Sequence, residues 1–245
     1  MNYARWSGRY ESIRAEFGYP FEREEAAGRR LIGLLPPGAR ERALERIAAR
    51  LADREVVVVG AAPDAGAPPI WQLRDRPRAP ALVAADGAAR ACMEARLTPD
   101  LVVTDLDGPV PSEISANSAG ALVVVHAHGD NIPAIERWVP EFSGELAGSW
   151  AGPPYDGLID VGGFTDGDRS AYLAEHAGAA RILLWGFDFH PAGPPAPGPR
   201  QLAKLAWAQR LIGELARQGN TPIDWWSNDG RIRPYLEFDT GPSTQ

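Results

Sequence analysis

The chain has 245 residues, 44% of them hydrophobic, enough to bury one sizeable core. Its net charge is −7 and its 25 basic residues are spread over helical stretches, which argues against a nucleic-acid partner needing a clustered basic face. A single cysteine, Cys92, excludes an intrachain disulfide, and neither a secretory leader nor a membrane-length apolar run is found, so a soluble cytoplasmic protein without a membrane partner is expected.

Residues 1–52 read as a helical N-terminal section. Phe21–Leu35 and Ala39–Leu51 carry apolar residues three and four apart, and Pro36-Pro37-Gly38 breaks the chain between them. From residue 53 to 245 the pattern changes to short apolar or β-branched runs alternating with helical stretches. The predicted strands are Glu55–Gly60, Ala81–Ala85, Leu101–Thr104, Ala121–His126, Leu158–Val161, Arg181–Gly186 and Thr221–Trp226. Between them, helices are expected over Gly87–Arg96, Asn131–Phe142 and Asp166–Ala177, with a long one over Gln201–Gln218. Continuous apolar strands separated by helices predict an α/β catalytic domain: a Rossmann-like, mostly parallel sheet flanked by helices. The proline-rich stretch His190–Arg200 fits neither element and reads as a surface loop or lid. The pair Trp225-Trp226 leaves room for a homo-oligomeric interface, although burial in the core is the simpler expectation.

Strand after strand ends in polar residues beside glycine. The clusters are Asp86-Gly87, then Asp105-Leu106-Asp107-Gly108, then His126-Ala127-His128-Gly129-Asp130-Asn131, then Gly162 to Arg169, then Gly186 to His190. In an open parallel sheet the carboxyl ends of the strands share one edge, so these clusters should converge on one crevice. Asp86 also suits a helix cap, and Thr165 with Asp168 suits a capping box; neither accounts for Arg169. Asp105 and Asp107, one residue apart, offer the hard oxygen ligands that Mg²⁺ takes. The stretch from His126 to Asp130 resembles the metal motif of metallo-β-lactamase-like hydrolases, but Asn131 stands where the last histidine belongs and the chain holds too few histidines for a dizinc set. The turn Gly60–Gly66 matches neither the dinucleotide fingerprint nor the Walker lysine motif, so phosphate chemistry must rest on the aspartates. Lys204 is the only lysine in an arginine-rich chain, which hints that an ammonium is wanted there.

Four motifs in order carry a resemblance over most of the chain: Ala85-Asp86-Gly87-Ala88; Thr98-Pro99-Asp100 leading into Val103-Thr104-Asp105-Leu106-Asp107-Gly108; His126 to Asn131; and Gly163 to Arg169. The sequence resembles the archaeal 6-hydroxymethyl-7,8-dihydropterin pyrophosphokinases, the MptE-like family, which is similar in fold to thiamine pyrophosphokinases. The resemblance implies pyrophosphate transfer from ATP to the pterin hydroxymethyl group, giving AMP, in synthesis of tetrahydromethanopterin or folate-type cofactors. It also implies Mg²⁺ as cofactor, held by Asp86, Asp105, Asp107 and Asp166, with Asp105, Asp107, Asp168 and Arg169 in the catalytic set. Nucleotide and phosphate contacts are then expected from Gly60, Gly87, Thr165, Asp166, Arg169 and Lys204. The pterin pocket would draw on His126, His128, Asp130, Asn131 and Asp188. The chain departs from the family pattern in reading Gly60-Ala61-Ala62-Pro63-Asp64 where Gly-x-Gly-Pro-Ser is usual, and in its proline-rich stretch after Asp188. A thiamine pyrophosphokinase, a glycosyltransferase-like relative and a non-catalytic nucleotide-binding module are the competing readings.

Overall fold

The computed structural model describes residues 3–60, 79–191, 197–226 and 231–237. Most of the turn Gly60–Gly66 and the centre of the stretch His190–Arg200 lie outside the described residues.

Three helices open the chain: α1 (Tyr3–Phe17), α2 (Phe21–Ile32) and α3 (Ala39–Leu51). Gly38, at a φ of 70°, turns the chain into α3 as the Pro-Pro-Gly break predicts. The strands are β1 (Glu55–Val59), β2 (Ala81–Ala85), β3 (Leu101–Thr104), β4 (Leu122–His126), β5 (Leu146–Ser149), β6 (Leu158–Ile159), β7 (Arg181–Trp185), β8 (Ile223–Trp226) and β9 (Ile232–Pro234). The later helices are α4 (Ala88–Glu94), α5 (Val110–Ser118), α6 (Ile132–Trp138), α7 (Asp166–His176) and α8 (Pro199–Gln218). The described strands form one sheet in the order β6-β5-β4-β3-β2-β1-β7-β8-β9, parallel throughout except for β9, which pairs antiparallel with β8. This is the mixed α/β, mostly parallel architecture expected.

The strand sequences explain the sandwich. Val56–Val59 in β1 and Leu122–Val125 in β4 are fully buried, and successive side chains point to opposite faces. Val56 and Val58 pack with α1, α3, α7 and α8, whereas Val57 and Val59 pack with the layer holding α2, α4, α5 and α6. The N-terminal helices therefore complete both faces of the sheet: Trp6 and Tyr10 of α1 join the first layer and Ala27 and Leu31 of α2 the second.

Three of the elements that differ from expectation have a local cause. β5 reads Leu-Ala-Gly-Ser, with no β-branched residue to announce a strand, and Gly148 is needed because a Cβ there would run into Leu158 and Leu31. α5 is a poor helix former by composition but begins with a favourable early proline. The stretch predicted as one helix over Asn131–Phe142 leaves α geometry at Trp138, because Pro140 cannot continue it, and ends in a 3₁₀ turn. Trp225 packs within the molecule, stacked on Tyr235 and edge-on to Phe189.

β1 and β7 lie side by side although the chain visits β2 to β6 between them, so the sheet reverses its winding there. The crevice at that switch point is where open α/β sheets bind ligands. Helix α7 returns from the β6 edge and packs across β1, β2, β3 and β7, bringing its first turn to the carboxyl ends of the central strands.

Candidate active site

A cavity of about 460 Å³ opens at this edge, a size suited to small molecules. All five polar clusters contribute to its lining: Asp86; Asp105 and Asp107; His126 and His128; Thr165, Asp166, Gly167 and Arg169; and Gly186 with Asp188. Gly60 and Lys204 line it too.

At its floor Asp86, Asp105 and Asp107 each offer a carboxylate oxygen, all within 4.8 Å of one another. The backbone is bent to achieve this. Asp86 and Leu106 adopt φ values of 45° and 68°, a left-handed conformation that side-chain-bearing residues seldom take. Leu106 is held there by its buried side chain and by its N–H, which donates to Thr104 Oγ1 at 2.9 Å. Gly108 has no side chain because a Cβ would overlap the Asp86 carboxylate. Burial, together with the charges of Asp105 and Asp86, pushes the Asp107 pKa up to about 6, against the pull of Lys204. Burial also works against charge on Asp105, yet a hydrogen bond and charge from His128 hold its carboxyl below the usual range. His128 Nε2 lies 3.3 Å from Asp105 Oδ2. Asp166 is raised by burial and by its proximity to Asp105 and Asp86, with Arg169 opposing. A crowd of carboxylates this costly to ionise together is a site that a divalent cation relieves, and its all-oxygen donor set suits Mg²⁺.

Behind Asp86 sits Glu113 of α5, fully buried and absent from the set expected from sequence. Burial, then the charge of Asp86, pushes its pKa up to about 8. Thr104 Oγ1 lies 3.2 Å from Asp86 and 3.1 Å from Glu113, and its one proton can serve only one of them. A neutral Glu113 resolves this by donating to Thr104, which then donates to Asp86. The sequence signal is helical spacing, since Val110, Glu113 and Asn117 fall on one buried face of α5.

Arg169 is 1% exposed, with Nη1 donating to Gly162 O at 3.1 Å and Nη2 lying 3.0 Å from His126 Nε2. A guanidinium only donates, so His126 Nε2 accepts and its proton resides on Nδ1, 3.3 Å from Ser149 Oγ. Burial and the Arg169 charge keep His126 neutral. Asp168 closes a capping box, accepting from Phe164 N at 2.6 Å, Thr165 N at 2.7 Å and the Thr165 hydroxyl. It is buried beneath the cavity rather than among the lining residues. Asn131 is similarly turned inward: its amide donates to Asp105 O at 2.8 Å and His126 O at 2.7 Å and accepts from His128 N, bracing the two loops. Asp130 is exposed and pairs with Arg23 at 3.9 Å, and neither Asp130 nor Gly87 is among the residues lining the cavity. The lining also draws on a section that sequence reasoning left out of the site: Trp6, Tyr10, Arg14, Tyr19 and Glu24 of the N-terminal helices and their linker.

Residues 32–192 match the family model described as 6-hydroxymethylpterin diphosphokinase MptE-like. The chain belongs to the MptE-like family. A relative from Pyrococcus furiosus, named 6-hydroxymethyl-7,8-dihydropterin pyrophosphokinase, is 40% identical over 97% of this chain and 99% of its own length. Relatives of the same name come from Methanothermobacter thermautotrophicus, 42% identical over 59% of this chain and 67% of its own, and Methanocaldococcus jannaschii, 34% identical over 77% and 80%. The matched MptE-like segment takes in the aspartate triad, the His126–Asn131 loop and the Thr165–Arg169 turn, while α1 and most of α2 precede it. No helix among the described residues is long and apolar enough to cross a membrane.

Proposed function

We propose that the chain transfers the terminal diphosphate of ATP to the hydroxymethyl group of 6-hydroxymethyl-7,8-dihydropterin, releasing AMP. The observation that carries the reading is the convergence of Asp86, Asp105 and Asp107 with Arg169 and Lys204 on one cavity, in a chain so similar to relatives of that name. Asp86, Asp105 and Asp107 would hold Mg²⁺, with Asp166 close by, and the bound ion would neutralise charge on the phosphate oxygens.

The residues then divide the work. The acceptor oxygen bonds to the β-phosphorus as the bond from that phosphorus to the oxygen bridging to the α-phosphate breaks, and the hydroxyl proton is released. Catalysis of this kind is mainly alignment and charge stabilisation. Lys204, within electrostatic reach of Asp107, serves the phosphates as a mobile point charge. Arg169, fixed by Gly162 and His126, keeps a rigid positive charge beside Asp105 and Asp166. Asp168 and Asn131 act as positioning residues, the first for the α7 turn and the second for the β3 and β4 loops.

Incubation with ATP, Mg²⁺ and the pterin alcohol tests this. AMP should accumulate only when both the metal and the acceptor are present. Tight ATP binding without AMP from any alcohol would favour a non-catalytic nucleotide module.

A further inference from the structure

One buried carboxyl group in the cavity stands apart from the aspartate cluster. Glu24 stands at the head of the inward stripe of α2, followed at helical spacing by Ala27, Gly28 and Leu31. It is only 8% exposed, yet it lines the cavity. The Tyr10 hydroxyl donates to its Oε2; among the described residues Oε1 accepts no hydrogen bond and no cation lies within ion-pair distance. Arg14 stands nearby, with Nε donating to the Tyr19 carbonyl at 3.3 Å and Nη1 to Glu11 at 3.0 Å. Burial raises the Glu24 pKa, with Tyr10, Arg14, His128 and Arg169 opposing. A carboxylate so withdrawn from water and so thinly partnered is costly unless a ligand supplies donors.

The surroundings specify the shape of that ligand. Trp6, Tyr10, Tyr19 and Phe164 are among the residues lining the same cavity, and the Tyr19 and Phe164 rings lie 6.4 Å apart. The position of Glu24 is fixed from outside, because Gly129 packs its backbone against Arg23 and Glu24 so closely that a Cβ would lie 2.7 Å from Arg23 Cβ. That loop also carries His128, which contacts Asp105, so Glu24 and the aspartate triad face one space from two sides.

We infer that Glu24 is the residue that reads the pterin ring, accepting hydrogen bonds from its 2-amino group and N3–H while the aromatic walls hold its faces. The inference rests on the reaction proposed above and names its acceptor subsite. The chemistry is that of a planar heterocycle with two adjacent donors, which a carboxylate matches with two acceptors. Adenine fits less well, because its amino group is flanked by ring nitrogens that accept and would face the carboxylate unfavourably. The donor edge and the 6-hydroxymethyl group lie at opposite ends of the pterin bicycle, so anchoring the first at Glu24 directs the second towards the Asp105 side.

The test is Glu24→Gln, which retains the partner of Tyr10 and replaces one acceptor by a donor. The KM for the pterin alcohol should rise roughly tenfold to 10²-fold while the KM for ATP stays unchanged. A structural role would not produce the second signature. The wild-type chain should discriminate against the 2,4-dioxo counterpart, which lacks the amino group, and Glu24→Gln should lose most of that discrimination. An unchanged pterin KM, or a rise confined to ATP, would overturn the assignment. Equilibrium titration with the pterin alcohol separates the two levels of the argument. If the wild-type chain forms no pyrophosphorylated product, the reaction reading fails, and equal pterin affinity in wild type and Glu24→Gln would still refute the role of Glu24. Thermal melting of the variant checks that both chains are folded.

Discussion

Glu113→Gln should stabilise the metal-free protein, and by an amount that depends on pH. The carboxyl titrates near 4.5 when the chain is unfolded and at about 8 when folded, because burial and Asp86 disfavour its charge. Between those values the folded state binds a proton that the unfolded state has lost, so stability falls as pH rises through the window and levels off above it. At about 1.4 kcal/mol per pH unit, the window from 4.5 to about 8 amounts to about 5 kcal/mol as a ceiling. Glutamine mimics the neutral acid in shape, and its amide can donate to Thr104 as the acid proton does. The two proteins should therefore be nearly equal in stability at pH 5, and the variant should be ahead by several kcal/mol at pH 8.5. Urea unfolding in the presence of a chelator, with midpoints compared at matched slopes, measures the difference. A stability difference that does not change with pH, or a variant that is weaker at pH 8.5, would refute the reasoning.

Asp105→Asn and Asp107→Asn should each lower turnover by at least ~10²-fold while leaving the circular dichroism spectrum unchanged, and wild-type rates in both would remove the metal-ligand assignment. Metal binding should be pH-dependent in a defined direction. Because Asp107 titrates at about 6, it is protonated below that value and a cation must displace the proton, so Mg²⁺ affinity should weaken about tenfold per pH unit below 6. Calorimetric titrations at pH 5 and pH 7 giving the same affinity would contradict this. Gly108→Ala puts a methyl group where the Asp86 carboxylate sits, so metal affinity and rate should both fall by roughly tenfold or more in a folded protein; a rate equal to wild type would show that Asp86 need not lie there.

The sheet was legible because its central strands are runs such as Val56–Val59 and Leu122–Val125, which have no other plausible use. β5 was not, since Leu146–Ser149 owes its strand conformation to neighbours on both sides rather than to its own residues. The polar strand ends announced the crevice, but they did not distinguish residues facing it from residues bracing it. Asp168 and Asn131 look like ligands in the sequence; their carboxylate and amide are consumed by backbone groups of their own loops. Glu24 and Glu113 posed the opposite problem. Each sits on the buried stripe of its helix, where a glutamate passes for a surface residue unless the spacing is counted. Only the return of α1 and α2 to the strand ends brings Glu24 into the site, and that return depends on long-range packing of Trp6, Tyr10 and Leu31.

The most direct test of the proposed reaction follows the β-phosphorus. With ATP labelled at that atom, Mg²⁺ and 6-hydroxymethyl-7,8-dihydropterin, all of the transferred label should appear in the pterin product, with one AMP formed per product molecule. Formation of ADP with a singly phosphorylated pterin, or AMP release at the same rate without the acceptor, would contradict the account.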